Sequence, residues 1–361
     1  MKAFIINDTE KEYHWGCYGT SSAIKKQLMD RGVTEIASVS CKEGSKPENT
    51  SKKCLLVYSK NPLIRYIAQK YYVSVMRRKL PAVWQAMLDS DYIVINGEGT
   101  INSIHVATRF IFFMVFIAKE VMKKRVCIIN HSCYPKRDKP KQMQYYQRVY
   151  AKCDFIAARE PASQLIITER LGVKATLAFD SLPLSVKETE NIPASLYSGK
   201  YICVSGAVNY DTRNSALIAS GLRDNYPDHH IVYLTGSASG MNNEDPDVIA
   251  SLQKYIPEMI VHDAHSFTEW LSVIKHSVLL ISGRYHYSVA AMCFGTPMIC
   301  FSSNTPKIDE VNKLFRLPKC VKTRDEFMHA LNSVGAFSWT PLLDEMCHLA
   351  EQNYIFLPLR T

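Results

Sequence analysis

The strongest constraint on this chain is a repeated alternation. Short, unbroken apolar runs of strand length are each followed by a longer stretch with helical spacing. Asp91-Tyr92-Ile93-Val94-Ile95-Asn96 is the clearest such run. A strand with apolar residues at consecutive positions is covered on both faces, and helices between such strands predict a parallel sheet. In the first half the pattern predicts strands over 2–7, 54–58, 91–96, 125–130, 154–158 and 175–179. Helices are predicted over 21–30, 64–88 (broken at Pro81), 105–124, 141–151 and 162–171. Over 184–199 Pro, Ser, Glu, Asn and Gly take over and the periodicity stops. A second series follows, with strands over 201–205, 230–235, 259–262, 278–282 and 297–301. Its helices fall over 215–225, 248–255, 267–276, 287–294, 308–314, 324–331 and 341–353.

The expected architecture is α/β: two Rossmann-like parallel-sheet lobes facing a central cleft, similar to the GT-B arrangement of many group-transfer enzymes. The expected division is an N-terminal lobe over 1–183, a linker over 184–199, a C-terminal lobe over 200–335, and a helix and tail over 336–361. The 361 residues suffice for two domains. A 47% hydrophobic and 21% charged composition excludes disordered, collagen-like and coiled-coil classes.

The net charge of +9 suits anionic partners without selecting one. Arg65, Lys70, Arg77, Arg78 and Lys79 gather in one helical region. Its default reading is a solvated face, and its alternative a surface for anionic lipid or polymer. The apolar run Phe110–Ala118 is far shorter than the roughly 20 residues a bilayer span needs, and reads as a buried helix. Met1–Asp8 reads as a strand and not as a secretion leader. Eleven cysteines, an odd number without a C-x-x-C pair, point to buried free thiols in a reducing compartment. The expected location is therefore cytoplasmic, with peripheral contact at the inner membrane face permitted.

In open parallel sheets ligands gather beyond the carboxyl ends of the strands. Those positions hold Asn7-Asp8-Thr9 with His14-Trp15-Gly16-Cys17, Asn96-Gly97-Glu98-Gly99-Thr100, Asn130-His131-Ser132 and Arg159-Glu160. In the second half they hold Ser282-Gly283-Arg284-Tyr285-His286 and Ser302-Ser303-Asn304-Thr305 with Lys307. Arg284-Tyr285-His286 is the sharpest of these. It places a cation and an imidazole where a buried strand feeds an apolar helix, whose N-terminal N–H groups favour an anion. Arginine holds a carboxylate or phosphate with two parallel bonds, and histidine titrates near neutrality. Gly97-x-Gly99 lacks the third glycine of a dinucleotide fingerprint, and Glu98 would repel a pyrophosphate. Asp89-Ser90-Asp91 precedes a strand and reads as a helix stop. No metal-ligand spacing, Walker A sequence or nucleophile elbow is present, so no metal is expected.

At these residues the chain resembles the polysaccharide pyruvyl transferase family. The resemblance runs in order through Asn7-Asp8-Thr9 with His14-Trp15-Gly16-Cys17, Ile95–Thr100, Arg159–Ser163, Ile281–His286, Phe294–Pro297 and Ser303–Ile308, from about residue 3 to about 315. Two departures stand out. Asn102 and Ser103 precede His105 where members often carry His soon after Gly-Thr, and Pro306 stands where they often carry His. Both bear on the acceptor.

The resemblance implies an enzyme that moves the enolpyruvyl group of phosphoenolpyruvate onto a sugar of a cell-surface polysaccharide or glycan intermediate. A pyruvate ketal forms and phosphate is released. It also implies no cofactor, phosphoenolpyruvate being the donor substrate. The implied partners are that donor and a sugar or lipid-linked oligosaccharide acceptor, without nucleic acid; the net charge, the Arg65–Lys79 region and the apolar Phe110–Ala118 helix together permit an anionic membrane surface as a further partner. Arg284, Tyr285, His286, Arg159, Asn304, Thr305 and Lys307 are the implied donor-binding residues, with Arg159 a second clamp from the first lobe. Asn7, His14, Gly97, Glu98 and Thr100 are implied on the acceptor side. His286, His131, Glu98 and Asp8 are the candidates for proton transfer. The rival readings are a GT-B glycosyltransferase using a nucleotide sugar and a non-catalytic glycan-binding relative.

Overall fold

The computed structural model describes residues 1–46, 53–135, 140–207, 211–240 and 246–357. The chain forms two compact units. The first comprises Met1–Asp8, Ile24–Asp180 and Leu349–Thr361; the second comprises Thr9–Ala23 and Ser181–His348.

The first unit is built on a six-stranded parallel sheet. Its strands are β1 (Lys2–Ile6), β2 (Glu35–Val39), β3 (Tyr92–Glu98), β4 (Arg125–His131), β5 (Phe155–Ala158) and β6 (Thr176–Leu177), in spatial order β2-β1-β3-β4-β5-β6. The register pairs Ile5 with Val94 and Val94 with Cys127, so the consecutive apolar residues of β1, β3 and β4 lie side by side and buried. Helix α1 (Trp15–Asp30) follows β1, and the short α2 (Cys41–Gly44) follows β2. Then come α3 (Pro62–Lys79), α4 (Pro81–Asp89), α5 (Val106–Phe116), α6 (Pro140–Tyr150) and α7 (Pro161–Leu165). Proline at the first helical position starts α3 and α4, where its missing N–H costs nothing. Helices α5 and α7 run on into π-helical turns, Ile117–Val121 and Ile166–Arg170.

Eight of the eleven α5 residues are buried, among them Phe110, Phe112, Phe113 and Phe116. At about 1.5–3 kcal/mol for each fully buried large apolar side chain, this helix is the centre of the first core. That burial removes Phe110–Ala118 as a membrane-facing segment.

The second unit carries a five-stranded parallel sheet. Its strands are β7 (Tyr201–Ala207), β8 (His230–Thr235), β9 (Ile260–Asp263), β10 (Leu279–Gly283) and β11 (Met298–Cys300), in order β11-β10-β7-β8-β9. Its helices are α8 (Leu182–Glu188), α9 (Arg213–Asn225), α10 (Pro246–Gln253), α11 (Phe267–Lys275), α12 (Tyr285–Phe294), α13 (Lys307–Leu314), α14 (Arg324–Ser333) and α15 (Leu343–Glu351). Helix α12 is the best covered, with nine of its ten residues buried, Tyr285 to Cys293. Helix α14 opens on a capping box in which Thr323 and Glu326 satisfy each other's backbone N–H groups.

Four expectations are corrected. The run Cys54–Tyr58 is a 3-10 turn and not a strand. β2 has no counterpart in the sequence reading. The stretch taken as linker begins with α8, whose Leu182, Pro183, Leu184 and Val186 are buried. The segment Thr9–Ala23 packs with the second unit and not the first.

Gly295 ends α12 at φ 68°, and a Cβ there would stand 2.8 Å from the Pro341 backbone nitrogen. A left-handed L-residue costs about 1–2 kcal/mol before that contact is relieved. Gly295→Ala is therefore expected to destabilise the protein by at least that amount in urea unfolding, with the slope on denaturant unchanged.

Candidate functional site

Each unit concentrates polar side chains at the carboxyl ends of its strands. In the first unit the chain leaves β1, β3 and β4 through left-handed residues: Asn7 at φ 67°, Glu98 at 39° and Asn130 at 53°. Asparagine tolerates this region better than most residues, whereas glutamate there is uncommon and marks a constrained bend.

Buried amides tie the three exits together. Asn7 Nδ2 donates to the Asn96 carbonyl at 2.7 Å and to Thr100 Oγ1 at 3.1 Å. Asn96 Nδ2 donates to Glu98 Oε1 at 3.0 Å, while Asn96 Oδ1 accepts from Asn130 Nδ2 at 2.9 Å. Asn353 closes the row, accepting from the Asn130 N–H at 2.8 Å and donating to the Phe179 carbonyl at 2.7 Å. The row thus brings together four residues expected on the acceptor side: Asn7, Gly97, Glu98 and Thr100. Gly97 is required by its neighbour, since a Cβ there would lie 2.6 Å from His131 Cβ.

Three expected roles change. Arg159 is no clamp open to a ligand. It is buried, with Nη1 donating to Asp180 at 2.6 Å and Nε to Ser132 Oγ at 2.7 Å. Ser132 in turn donates to Glu160, which also accepts from Ser163, and burial raises the Glu160 carboxyl. His131 is fully buried against Tyr150, with Nε2 2.5 Å from the phenol oxygen. Burial, helped by the Arg159 charge, pulls its pKa down to about 3, so it is neutral near pH 7 and has no proton to deliver. Asp8 is paired with Lys25 at 2.8 Å and accepts from Ser38 at 2.7 Å.

In the second unit β10 ends at Ser282-Gly283 and Arg284 caps α12. Ser282 Oγ accepts the Arg284 N–H at 2.9 Å and lies 2.7 Å from Ser205 Oγ at the end of β7. A Cβ on Gly283 would lie 2.3 Å from Ala207 Cβ, so only glycine lets β10 run this close to β7. Tyr285 is buried in the first turn of α12, and Lys307 Nζ sits 5.6 Å above its ring. Arg284, Thr305 and Lys307 are half-buried; Asn304 is exposed and bonded to Ser303.

His14, expected on the acceptor side of the first lobe, lies in the second unit beside His286. The Trp15 N–H donates to the Gly236 carbonyl and its indole N–H to the Ala264 carbonyl at 2.7 Å, which ties this segment down. The His14 and His286 ring centroids are 5.2 Å apart. Cys17 Sγ stands between them, 3.8 Å from His14 Nε2 and 3.8 Å from His286 Nδ1, and Thr20 Oγ1 is 3.4 Å from His286 Nε2. Cys17 stood in the quoted motif without a role, and Thr20 escaped the sequence reading. The legible signal was the spacing His14-x-x-Cys17-x-x-Thr20, which lays three polar groups along one face at the start of a helix.

Residues 21–305, more than half of the chain, match the family described as polysaccharide pyruvyl transferase. The chain belongs to the polysaccharide pyruvyl transferase family. No curated protein sequence matches it.

Among solved structures it is similar to a UDP-GlcNAc 2-epimerase from Methanocaldococcus jannaschii, with TM-score 0.60, 11% identity, and 99% of each chain covered. A UDP-GlcNAc 2-epimerase from Neisseria meningitidis bound to UDP-GlcNAc gives 0.57 and 11%, covering 99% of this chain and 98% of the other. A glycosyltransferase from Rickettsia africae gives 0.51 and 11%, covering 99% and 94%. At such identities the likeness shows the fold, two parallel-sheet α/β lobes of GT-B type. Family membership makes the protein a transferase of polysaccharide pyruvylation in general. No helix among the described residues is long and apolar enough to cross a membrane.

The His131 geometry sets a pH dependence. Its folded pKa of about 3 lies below the ordinary 6.5, so the unfolded chain takes up the proton first. The stabilisation from keeping it neutral is complete above about pH 6.5 and is lost as pH falls toward 3, by up to about 1.4 kcal/mol per pH unit. His131→Gln should lower stability near neutrality and flatten that slope, as read by urea unfolding at several pH values. An unchanged slope would remove His131 as its source.

Proposed function

We propose that this transferase uses phosphoenolpyruvate as donor and a sugar of a cell-surface polysaccharide or glycan intermediate as acceptor, forming a pyruvate ketal. The observation that carries the reading is Arg284 capping α12 at the exit of β10, with His286 in the first helical turn, in a chain of this family. A helix N-terminus and a guanidinium provide what a small multiply charged anion needs. Lys307 and Thr305 add a second cation and a hydroxyl on the same unit. In the first unit, the buried amide row around Asn7, Asn96 and Glu98 holds in place the strand exit that carries the half-buried Thr100, a hydroxyl suited to a sugar acceptor.

The reaction closes without a cofactor. A proton from His286 adds to the methylene carbon of the donor and leaves a cationic centre at C2. One sugar hydroxyl attacks C2 and its proton returns to His286. The C2–O bond to phosphate breaks, a second hydroxyl attacks C2 to close the ketal ring, and its proton leaves with the phosphate. Arg284 holds the anionic end throughout and offsets the charge that develops on the departing phosphate.

Arg284→Ala is expected to raise the donor KM strongly, because a charge-assisted contact in a desolvated site is worth about 2–5 kcal/mol. Lys at 284 should restore part of it, lacking the planar fork. His286→Gln should bind donor nearly normally and turn over roughly 10²–10⁴-fold more slowly. Phosphate release with a panel of sugars reads turnover, and calorimetry with phosphoenolpyruvate, UDP and GDP reads the donor. Preferential nucleotide binding would move the case to a glycosyltransferase.

The acceptor's origin at a membrane gives weight to α3. Ala68, Tyr72 and Met76 turn one face of it inward, while Leu63, Tyr66, Ile67 and Tyr71 are each about 60% exposed. From Lys60 to Lys79 there are six cations and no carboxylate. An exposed apolar stripe flanked by cations fits the interface of an anionic bilayer. The protein should float with anionic vesicles at low salt and less at high salt, each basic residue contributing about 1 kcal/mol near the surface. Replacing Leu63, Ile67 and Tyr71 together by Gln should weaken flotation at every salt concentration. No flotation at low salt would leave a soluble acceptor.

A further inference from the structure

We propose that Cys17, His286 and Thr20 form a thiol–imidazole–hydroxyl relay in which Cys17 stands as a thiolate, with His14 as a second donor to its sulfur. Nothing in the donor reading assigns Cys17, Thr20 or His14 a role.

One hydrogen-bond direction is set by the backbone, and the relay assigns the others. The Gly16 N–H donates to His14 Nδ1 at 3.1 Å, so the neutral His14 ring carries its proton on Nε2, facing the sulfur at 3.8 Å. At His286, Nε2 lies 3.4 Å from Thr20 Oγ1 and Nδ1 lies 3.8 Å from the sulfur; the relay uses the tautomer in which Nε2 donates to the hydroxyl and Nδ1 accepts from the thiol. A nucleophile, a base within reach and a third group orienting the base is the arrangement that activates Cys and Ser nucleophiles. The step is a single proton transfer: the S–H bond of Cys17 breaks and an N–H bond forms at His286 Nδ1. The thiolate then accepts from both imidazoles, and the imidazolium donates to Thr20.

The backbone reinforces this. Cys17 is the third residue of the sixteen-residue α1, where N–H groups and the helix dipole favour a thiolate. Gly16 makes the approach possible, since a Cβ there would sit 2.3 Å from His286 Cβ. Tyr285 and Tyr287 are titratable groups packed around the pair, their rings lying against His286 and His14. Arg284, the cap of α12, adds positive charge on the His286 side. Elsewhere burial works the other way, pushing the Cys54, Cys127 and Cys133 thiols up to about 12.

The ligand-capable atoms of His14, Cys17 and His286 lie within 4.8 Å of one another, so a soft divalent metal is the competing occupant. The Gly16 contact opposes it, because ligation through His14 Nε2 would move the ring proton to Nδ1, against the Gly16 N–H.

On the donor reading, the imidazolium formed here is the acid that protonates the methylene carbon: the proton originates on the Cys17 thiol, and the neutral imidazole left behind recovers one from the attacking sugar hydroxyl. The test is arranged so that the two readings fail separately. Thiolate absorbance in the far ultraviolet is measured near neutral pH on the full chain without donor, for the native protein, Cys17→Ser and His286→Gln. Circular dichroism checks that each variant is folded. This readout needs no reagent to reach the buried sulfur. The difference from Cys17→Ser cancels any contribution from Cys300, which a hydrogen bond from Cys320 favours as thiolate.

The expected result is close to one thiolate per chain, lost in Cys17→Ser and reduced in His286→Gln to the few per cent of an ordinary thiol. Equal absorbance of native protein and Cys17→Ser overturns the proposal. So does a thiolate that survives His286→Gln, or a stoichiometric bound metal that Cys17→Ser releases. Donor binding and turnover are then measured on Cys17→Ser. A folded variant that binds phosphoenolpyruvate normally and turns over roughly 10²-fold more slowly supports the relay as the acid. Thiolate present with no donor binding leaves the relay and removes the donor reading. Donor binding and turnover unaffected by Cys17→Ser remove the relay as the acid and leave the donor reading.

Discussion

The first unit depends on one interaction, the hydrogen bonding of Asn96 to its neighbours on both sides. Its carbonyl and its side chain are shared among Asn7, Glu98 and Asn130, each on a different strand exit or bend. A buried amide left without partners costs about 1–3 kcal/mol, so each member of the row holds the others in place. The same bonds surround three residues held in the left-handed region at the ends of β1, β3 and β4. The carboxyl edge of β1, β3 and β4 is in this sense one connected object. Beside it, Arg159, Ser132, Glu160, Ser163 and Asp180 form a second connected set at the ends of β4 and β5.

The second unit solves a related problem by close approach. Gly283 lets β10 come against β7, and Gly16 lets α1 come against α12. Both glycines flank the Arg284–His286 segment in space, so the placement of the guanidinium and the imidazole rests on two missing side chains. Ser282 then fixes the direction of α12 by accepting the Arg284 N–H, which the helix itself leaves without a partner.

The sequence pattern made the α/β class, both sheets and most of the elements legible, because consecutive apolar residues in short runs have few other uses. Its failures have physical causes. The exposed residues of β2 give no apolar run, since an edge strand needs burial on fewer sides. Cys54–Tyr58 has strand-like composition but turns as a 3-10 helix, and a five-residue apolar run cannot distinguish the two by periodicity. The positions of the site residues were legible as strand exits; their partners were not. Nothing near Arg159 in the sequence announces Asp180 twenty-one residues on, and a buried ion pair reads in sequence like an open cation. His14 was placed by chain order in the first lobe, whereas the bonds of Trp15 to Gly236 and Ala264 carry it to the second unit.

Burial divides these polar residues into two kinds. His131, Arg159, Glu160 and Asp180 are each at most 1% exposed and bonded to one another or to neighbours in the first unit. Recruiting any of them to a ligand would break a buried contact, and leaving a buried charge unpaired costs about 3–5 kcal/mol. Such groups hold a surface in shape. Arg284, Thr305 and Lys307 are half-buried on the second unit. His286 lies between the two kinds, buried like the scaffold yet set against a thiol and a hydroxyl through which a proton can pass. On the proposed reading that position suits a group that changes protonation state: dry enough for its hydrogen bonds to be strong, and connected to neighbours with which it can exchange a proton.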